Sequence, residues 1–108
     1  MRKILFTITL MLPFLVLAQV TQVTLWEPLP GKSSEMIATA AKGVTLSEKL
    51  GLQPGLALDT HGRLHYITSF EDWVAWAKFQ ARAAADPAMQ AFIADYTKNP
   101  SATQLESF

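Results

Sequence analysis

Residues 54–70 read PGLALDTHGRLHYITSF, two β-like runs joined through a glycine-containing connection, and the reading of this stretch decides the fold. Pro54-Gly55 opens the first run, residues 56–60, and His61-Gly62 separates it from the second, residues 63–69; a two-residue connection holding a glycine predicts a β-hairpin. With His61-Gly62 as the loop, Thr60 falls opposite Arg63, Leu58 opposite His65, Ala57 opposite Tyr66 and Leu56 opposite Ile67. Opposite partners share a face of the sheet. One face then carries Leu56, Leu58, His65 and Ile67, and the other carries Ala57, Asp59, Leu64, Tyr66 and Phe70, so both are substantially apolar. The same register sets His65 and Asp59 on opposite faces.

On the amino-terminal side of the hairpin, residues 20–27 (VTQVTLWE) alternate polar and apolar side chains and are rich in Val and Thr, which predicts a strand with one face inward. Pro28, Pro30 and Gly31 end it. Ser33 or Ser34 is placed to cap a helix, with Glu35 in the first turn where negative charge is favoured. Met36, Ile37, Ala40, Ala41 and Val44 recur at helical spacing, and Gly51 after Lys49 and Leu50 is a stop signal. Gly43 sits inside this helix at a cost of ~1 kcal/mol relative to alanine.

On the carboxyl-terminal side, Ser69-Phe70-Glu71-Asp72 has a hydroxyl cap with a carboxylate three residues on, close to a capping box, and predicts a helix over 73–85. Asp86-Pro87 starts another, because proline tolerates the first helical position and aspartate accepts from free amides. Met89, Phe92, Ile93 and Tyr96 form its apolar stripe, Asn99-Pro100 ends it, and residues 102–108 (ATQLESF) supply a last strand. The order is β-α-β-β-α-β with the second helix split: an α+β, ferredoxin-like antiparallel sheet with helices on one face. The other face of such a sheet is open. Lined by residues such as Leu64 and Tyr66, it would expose a contiguous apolar patch, and a second copy of the chain is the simple cover; the expectation is a homodimer.

The 108 residues divide unevenly. Half are hydrophobic, yet thirteen of these lie in the first eighteen positions, MRKILFTITLMLPFLVLA. A basic start at Arg2 and Lys3, an apolar run to Leu17 and a small-residue ending at Ala18 are the three parts of a secretory signal peptide. The run falls short of the ~20 residues that cross a bilayer as a helix. Cleavage after Ala18 is favoured over an uncleaved anchor, which would keep Arg2 and Lys3 cytoplasmic; either way residues 19–108 are one exported domain, periplasmic or secreted, with no membrane contact once the signal is removed. That domain carries seven basic and nine acidic side chains, so it is mildly acidic and not a nucleic-acid binder held by bulk charge. The chain has no cysteine, which excludes disulfides, thiolate zinc sites and a thiol nucleophile.

With these elements in place the chain resembles the dimeric α+β-barrel superfamily, and within it small antibiotic-biosynthesis-monooxygenase-like (ABM-like) domains. The residues that carry the resemblance are the strand running into Pro30-Gly31-Lys32 and a helix, the Gly62-centred hairpin, and TSFEDWVAW leading to a helix broken at Ala85-Asp86-Pro87 and continued by AMQAFIADY. The resemblance implies a dimeric barrel. It does not carry an activity across, because fold does not transfer function. Haem-degrading members of the group hold iron with a histidine on the second helix, and residues 71–98 contain none. Cofactor-independent oxygenases of the group often use asparagine in the pocket, and the sole asparagine here, Asn99, is in a helix-ending loop.

His61 and His65 are the only histidines. On an extended strand four residues span ~13 Å, too far for two ligands of one metal ion, so no metal and no cofactor is expected. His65 is the candidate general base, histidine being the side chain suited to proton transfer near neutral pH, with Tyr66 beside it. Trp26, Tyr66, Phe70, Trp73 and Trp76 are candidates for the walls of a cavity that takes a small apolar or aromatic molecule. Ordinary core packing accounts for the same residues. Three readings follow: an exported dimeric barrel of undefined activity that binds such a molecule; a cofactor-independent monooxygenase or isomerase with His65, Tyr66 and Trp26 nearest the chemistry; and a non-catalytic structural or interaction subunit with a filled interior.

Overall fold

The computed structural model describes residues 19–108, and the signal reading of residues 1–18 lies outside the described residues. Strand β1, Val20–Pro28, is followed by a turn at Pro30-Gly31, closed by the Lys32 amide donating to the Leu29 carbonyl at 2.9 Å. The turn passes straight into helix α1, Ser33–Lys49, with Lys32 at the cap position and no capping side chain. Capping by Ser33 or Ser34 therefore does not occur. The Met36 amide already reaches the Lys32 carbonyl at 2.9 Å, which makes both serines helical residues. At the other end, Gly51 adopts φ +91°, its amide reaches the Glu48 carbonyl and the Leu52 amide reaches the Ser47 carbonyl, each at 3.0 Å. This pair of bonds is a Schellman stop, and it needs the left-handed residue that glycine supplies.

The hairpin comprises β2, Gly55–Leu58, and β3, Leu64–Phe70. Its register differs by one residue from the expectation: Leu56 pairs with Tyr66, Ala57 with His65 and Leu58 with Leu64. The loop is Thr60-His61-Gly62, closed by Asp59 and Arg63, with Gly62 at φ +77°. Asp59 accounts for the longer loop, since its Oδ1 accepts from the amides of His61 at 2.8 Å and Arg63 at 3.1 Å and so builds the turn on its own carboxylate. A shift of one residue changes which side chains share a face. His65 and Asp59 consequently lie on the same face, contrary to the sequence-based register.

Helices α2, Trp73–Ala85, and α3, Pro87–Lys98, follow, then β4, Ala102–Ser107. Asp72 rather than Ser69 caps α2, accepting from the Ala75 amide at 2.8 Å, because β3 stays paired with β1 as far as Phe70 and Ser69 is held in the ladder. Asp86 caps α3 through the Met89 amide at 2.8 Å, with Pro87 in the first turn. The sheet is antiparallel in the order β2-β3-β1-β4. β3 thus separates β1 from β2, and β1 separates β3 from β4, the interleaving of two split βαβ units; the fold is α+β and ferredoxin-like.

The helices cover the face that carries Trp26, Leu64 and Tyr66, where Met36, Ala40 and Leu64 form the central buried cluster against Trp26 and Ala102. Leu64 and Tyr66 therefore do not line the open face. Cross-strand pairing assigns that face to Val23 with Ile67 and to Leu25 with His65 and Ala57. The better apolar alternation of β1 is thus the uncovered one, and the helices cover its more polar side, with Gln22, Thr24 and Trp26.

Candidate functional site

Putting Gln22 and Thr24 under the helices leaves the interior incompletely filled. A cavity of about 290 Å³ lies between the sheet and helices α1 and α3. Trp26 of β1, Tyr66 of β3, and Phe92 and Tyr96 of α3 supply aromatic surface; Met36, Ala40 and Gly43 of α1 supply the small and flexible part of the wall. The aromatic side chains brace one another edge to face, Trp26 on Tyr96 with centroids 6.0 Å apart and Phe92 on Tyr96 at 5.2 Å. Gly43 is explained by this contact: a β-carbon there would stand 3.3 Å from the Phe92 ring and 3.7 Å from the Tyr66 hydroxyl.

Polar groups sit at several places on the wall, Thr39 of α1 and the buried Ser101 among them. The Tyr66 hydroxyl is 3.2 Å from the Ser47 hydroxyl of α1. Toward β4, the Gln22 amide donates to Ser107 Oγ at 3.2 Å, Thr24 and Ser107 hydroxyls are 3.2 Å apart, and Gln104 lines the same end. No Asp, Glu, Lys, Arg or His is among the lining residues. The ionisable groups of the lining are the phenols, and burial pushes both Tyr66 and Tyr96 above the ordinary tyrosine pKa, with the Ser47 hydrogen bond opposing that rise at Tyr66. At neutral pH the lining is uncharged.

The sequence-based candidates separate into three places. Trp26 and Tyr66 line the cavity. Phe70 is buried at the end of β3 against Phe79, with centroids 5.8 Å apart. Trp73 is 68% exposed at the start of α2, edge-on to Trp76 at 5.7 Å, and Trp76 reaches the cavity only through its indole N–H, which donates to Gln22 Oε1 at 3.2 Å. His65 is on the opposite side of the sheet from Tyr66, as adjacent strand residues must be, so the two cannot act together on one ligand. The sequence marks Phe92 and Tyr96 only as part of an apolar helix stripe, and Gln22, Thr24 and Gln104 not at all, as cavity residues. The available signal was parity, since residues 22, 24 and 26 share a strand face and Thr24 pairs with Tyr66.

The backbone is similar to that of a NIPSNAP family protein. That protein, from Agrobacterium tumefaciens, is 17% identical over 83% of this chain and 80% of its own, with a TM-score of 0.65. A protein from Shewanella oneidensis is likewise 17% identical, covering 83% of this chain and 84% of that one, with a TM-score of 0.58. At this identity the likeness concerns the chain path alone. No protein-family model and no curated protein matches the sequence.

On the open face, His65 Nε2–H donates to Asp59 Oδ2 at 3.0 Å, and Arg63 Nε lies 3.8 Å from Glu27 Oε1. Among the described residues no cluster of three His, Cys, Asp or Glu side chains is placed to hold a metal ion. The His65 hydrogen bond is the main cause that lowers Asp59 from 3.8 to about 2, with the Arg63 and His61 amides adding to it against partial desolvation. A carboxylate whose native pKa lies below its unfolded value stabilises the fold above the unfolded value and loses that contribution as pH falls through the native one. Acid unfolding followed by circular dichroism is therefore expected to show a loss of stability between 3.8 and about 2 that is missing in Asp59→Asn, which keeps the turn-forming oxygen but has no charge to titrate.

Proposed function

We propose that this chain is an exported, homodimeric α+β-barrel domain, related to the ABM-like group, that holds a small neutral molecule with a flat apolar body between its sheet and helices. The observation that carries the reading is the cavity itself, aromatic on one side, polar on the other and without a charged group. Size is in keeping, since a cavity of ~150 Å³ takes benzene and this one, at about 290 Å³, has room for a two-ring molecule. Export rests on the three-part leader of residues 1–18. The dimer rests on the open face, where Val23, Leu25 and Ile67 are only half-buried and Phe108 is 65% exposed; the same face carries Asp59 hydrogen-bonded to His65, Glu27 near Arg63, and Glu106 opposite Leu25. Covering that face removes the surface of Val23, Leu25, Ile67 and Phe108 from water. Binding is favoured over catalysis because His65 is across the sheet from the cavity and both lining phenols are held protonated.

Isothermal titration with 2-acetylnaphthalene and 2-naphthoate tests the cavity. The neutral ketone is expected to bind and the carboxylate to bind at least roughly a hundredfold more weakly, because an anion placed there loses water and finds no cation. Ala40→Leu, which adds carbon to the wall, should abolish ketone binding and leave the fold intact. If neither probe binds, the structural-subunit reading replaces this one. Native mass spectrometry of protein recovered from the periplasm checks the rest: the expected species is twice the mass of a chain lacking residues 1–18, and a ligand-free monomer would contradict the dimer and the binding role together.

A further inference from the structure

Gln22 is held in one orientation by a neighbour outside the cavity. The indole N–H of Trp76 is a donor only, so the Gln22 atom it meets at 3.2 Å must be the amide oxygen, and the amide nitrogen is then the atom that meets Ser107 Oγ at 3.2 Å. A primary amide has two N–H bonds, and the Ser107 contact uses one. The second belongs to a residue that lines the cavity, at the end shared with Thr24, Gln104 and Ser107.

We propose that this end of the cavity is a binding site for an acceptor oxygen, so that the ligand class is a neutral carbonyl compound whose flat body lies against Trp26, Tyr66 and Phe92 and whose carbonyl accepts from Gln22 Nε2. Trp76 is a positioning residue: without its N–H, the Gln22 side chain is free to turn its oxygen toward the ligand and repel the carbonyl. This rests on the cavity reading above and adds to it the polarity of the bound group and a role for a tryptophan that does not touch the ligand.

The test compares 2-acetylnaphthalene with 2-ethylnaphthalene, nearly equal in shape and differing in the acceptor oxygen. The wild-type protein is expected to prefer the ketone by roughly three- to tenfold, the range of one net hydrogen bond. Gln22→Glu keeps an acceptor for the indole but has no N–H to offer, and should erase or invert the preference. Trp76→Phe keeps an aromatic ring beside Trp73 in a smaller side chain that has no N–H; it should also reduce the preference to about unity while leaving 2-ethylnaphthalene affinity unchanged, a separation that general loosening of the fold would not produce. Equal binding of the two probes by the wild type, or an undiminished preference in Trp76→Phe, overturns the proposal and leaves the cavity reading standing. Failure of both probes to bind overturns the cavity reading and this proposal with it.

Discussion

Replacing Phe70 by alanine is expected to lower the free energy of unfolding by about 3–5 kcal/mol, the range for losing a buried phenylalanine. Phe70 is 5% exposed, pairs with Val20 at the end of the β1–β3 ladder and packs on Phe79, tying the sheet to α2. Its weight comes from scarcity: among the described residues the buried hydrophobic ones are Met36, Ala40, Leu64, Phe70 and Met89, and α2 contributes none of them. A domain of this length has a stability of roughly 5–13 kcal/mol, so the substitution removes a quarter or more of it. Urea unfolding of the two proteins measures the difference, with Phe70→Leu as the partial restoration at about 1.5 kcal/mol below wild type. A loss under about 1 kcal/mol for alanine would mean that α2 docks independently of this contact.

Ile67→Glu is expected to raise the dimer dissociation constant by about a thousandfold while changing the monomer far less than Phe70→Ala does. Ile67 is at the centre of the open face, between Val23 and Gly55 across the ladder, so in a monomer its substitute keeps access to water. In a dimer closed through this face the carboxylate is desolvated, and two-fold symmetry places two such charges in one interface; at about 2 kcal/mol each, the sum is about three decades in affinity. Sedimentation equilibrium of the wild type and the variant reads this directly. An unchanged dissociation constant would place any self-association elsewhere on the molecule.

Local signals in the sequence account for much of the fold. Asp86-Pro87 starts a helix because the carboxylate accepts from the Met89 amide and proline lacks the amide that would otherwise need a partner. Gly51 ends α1 because its left-handed backbone lets two amides satisfy the last carbonyls. Each of these is decided within a few residues. The cap of α2 lies three residues beyond the hydroxyl that local signals indicate, for the opposite reason: the fate of Ser69 depends on how far β3 pairs with β1, a partner more than forty residues away. The candidate site was legible only in part. Trp26 and Tyr66 stand out as aromatic residues on strands, whereas Gln22 and Thr24 are the polar members of an alternating strand and Gln104 lies in a terminal strand with no signal of its own.

The β2–β3 hairpin divides what the chain determines locally from what it does not. The sequence by itself determined that there is a hairpin, that Gly62 belongs to its loop, and that the elements run β-α-β-β-α-β. It did not decide between a two-residue and a three-residue loop, because both are compatible with His61-Gly62 and the choice turns on the Asp59 carboxylate gathering the amides of His61 and Arg63. That single residue of register brings His65 to Asp59 on the open face. Which face of β1 is covered is likewise a property of the assembled layers: strand alternation specifies two different sides but not which one the helices occupy. Only packing set the polar side under α1 and α3, where it lines the cavity, and left the apolar side of β1 uncovered.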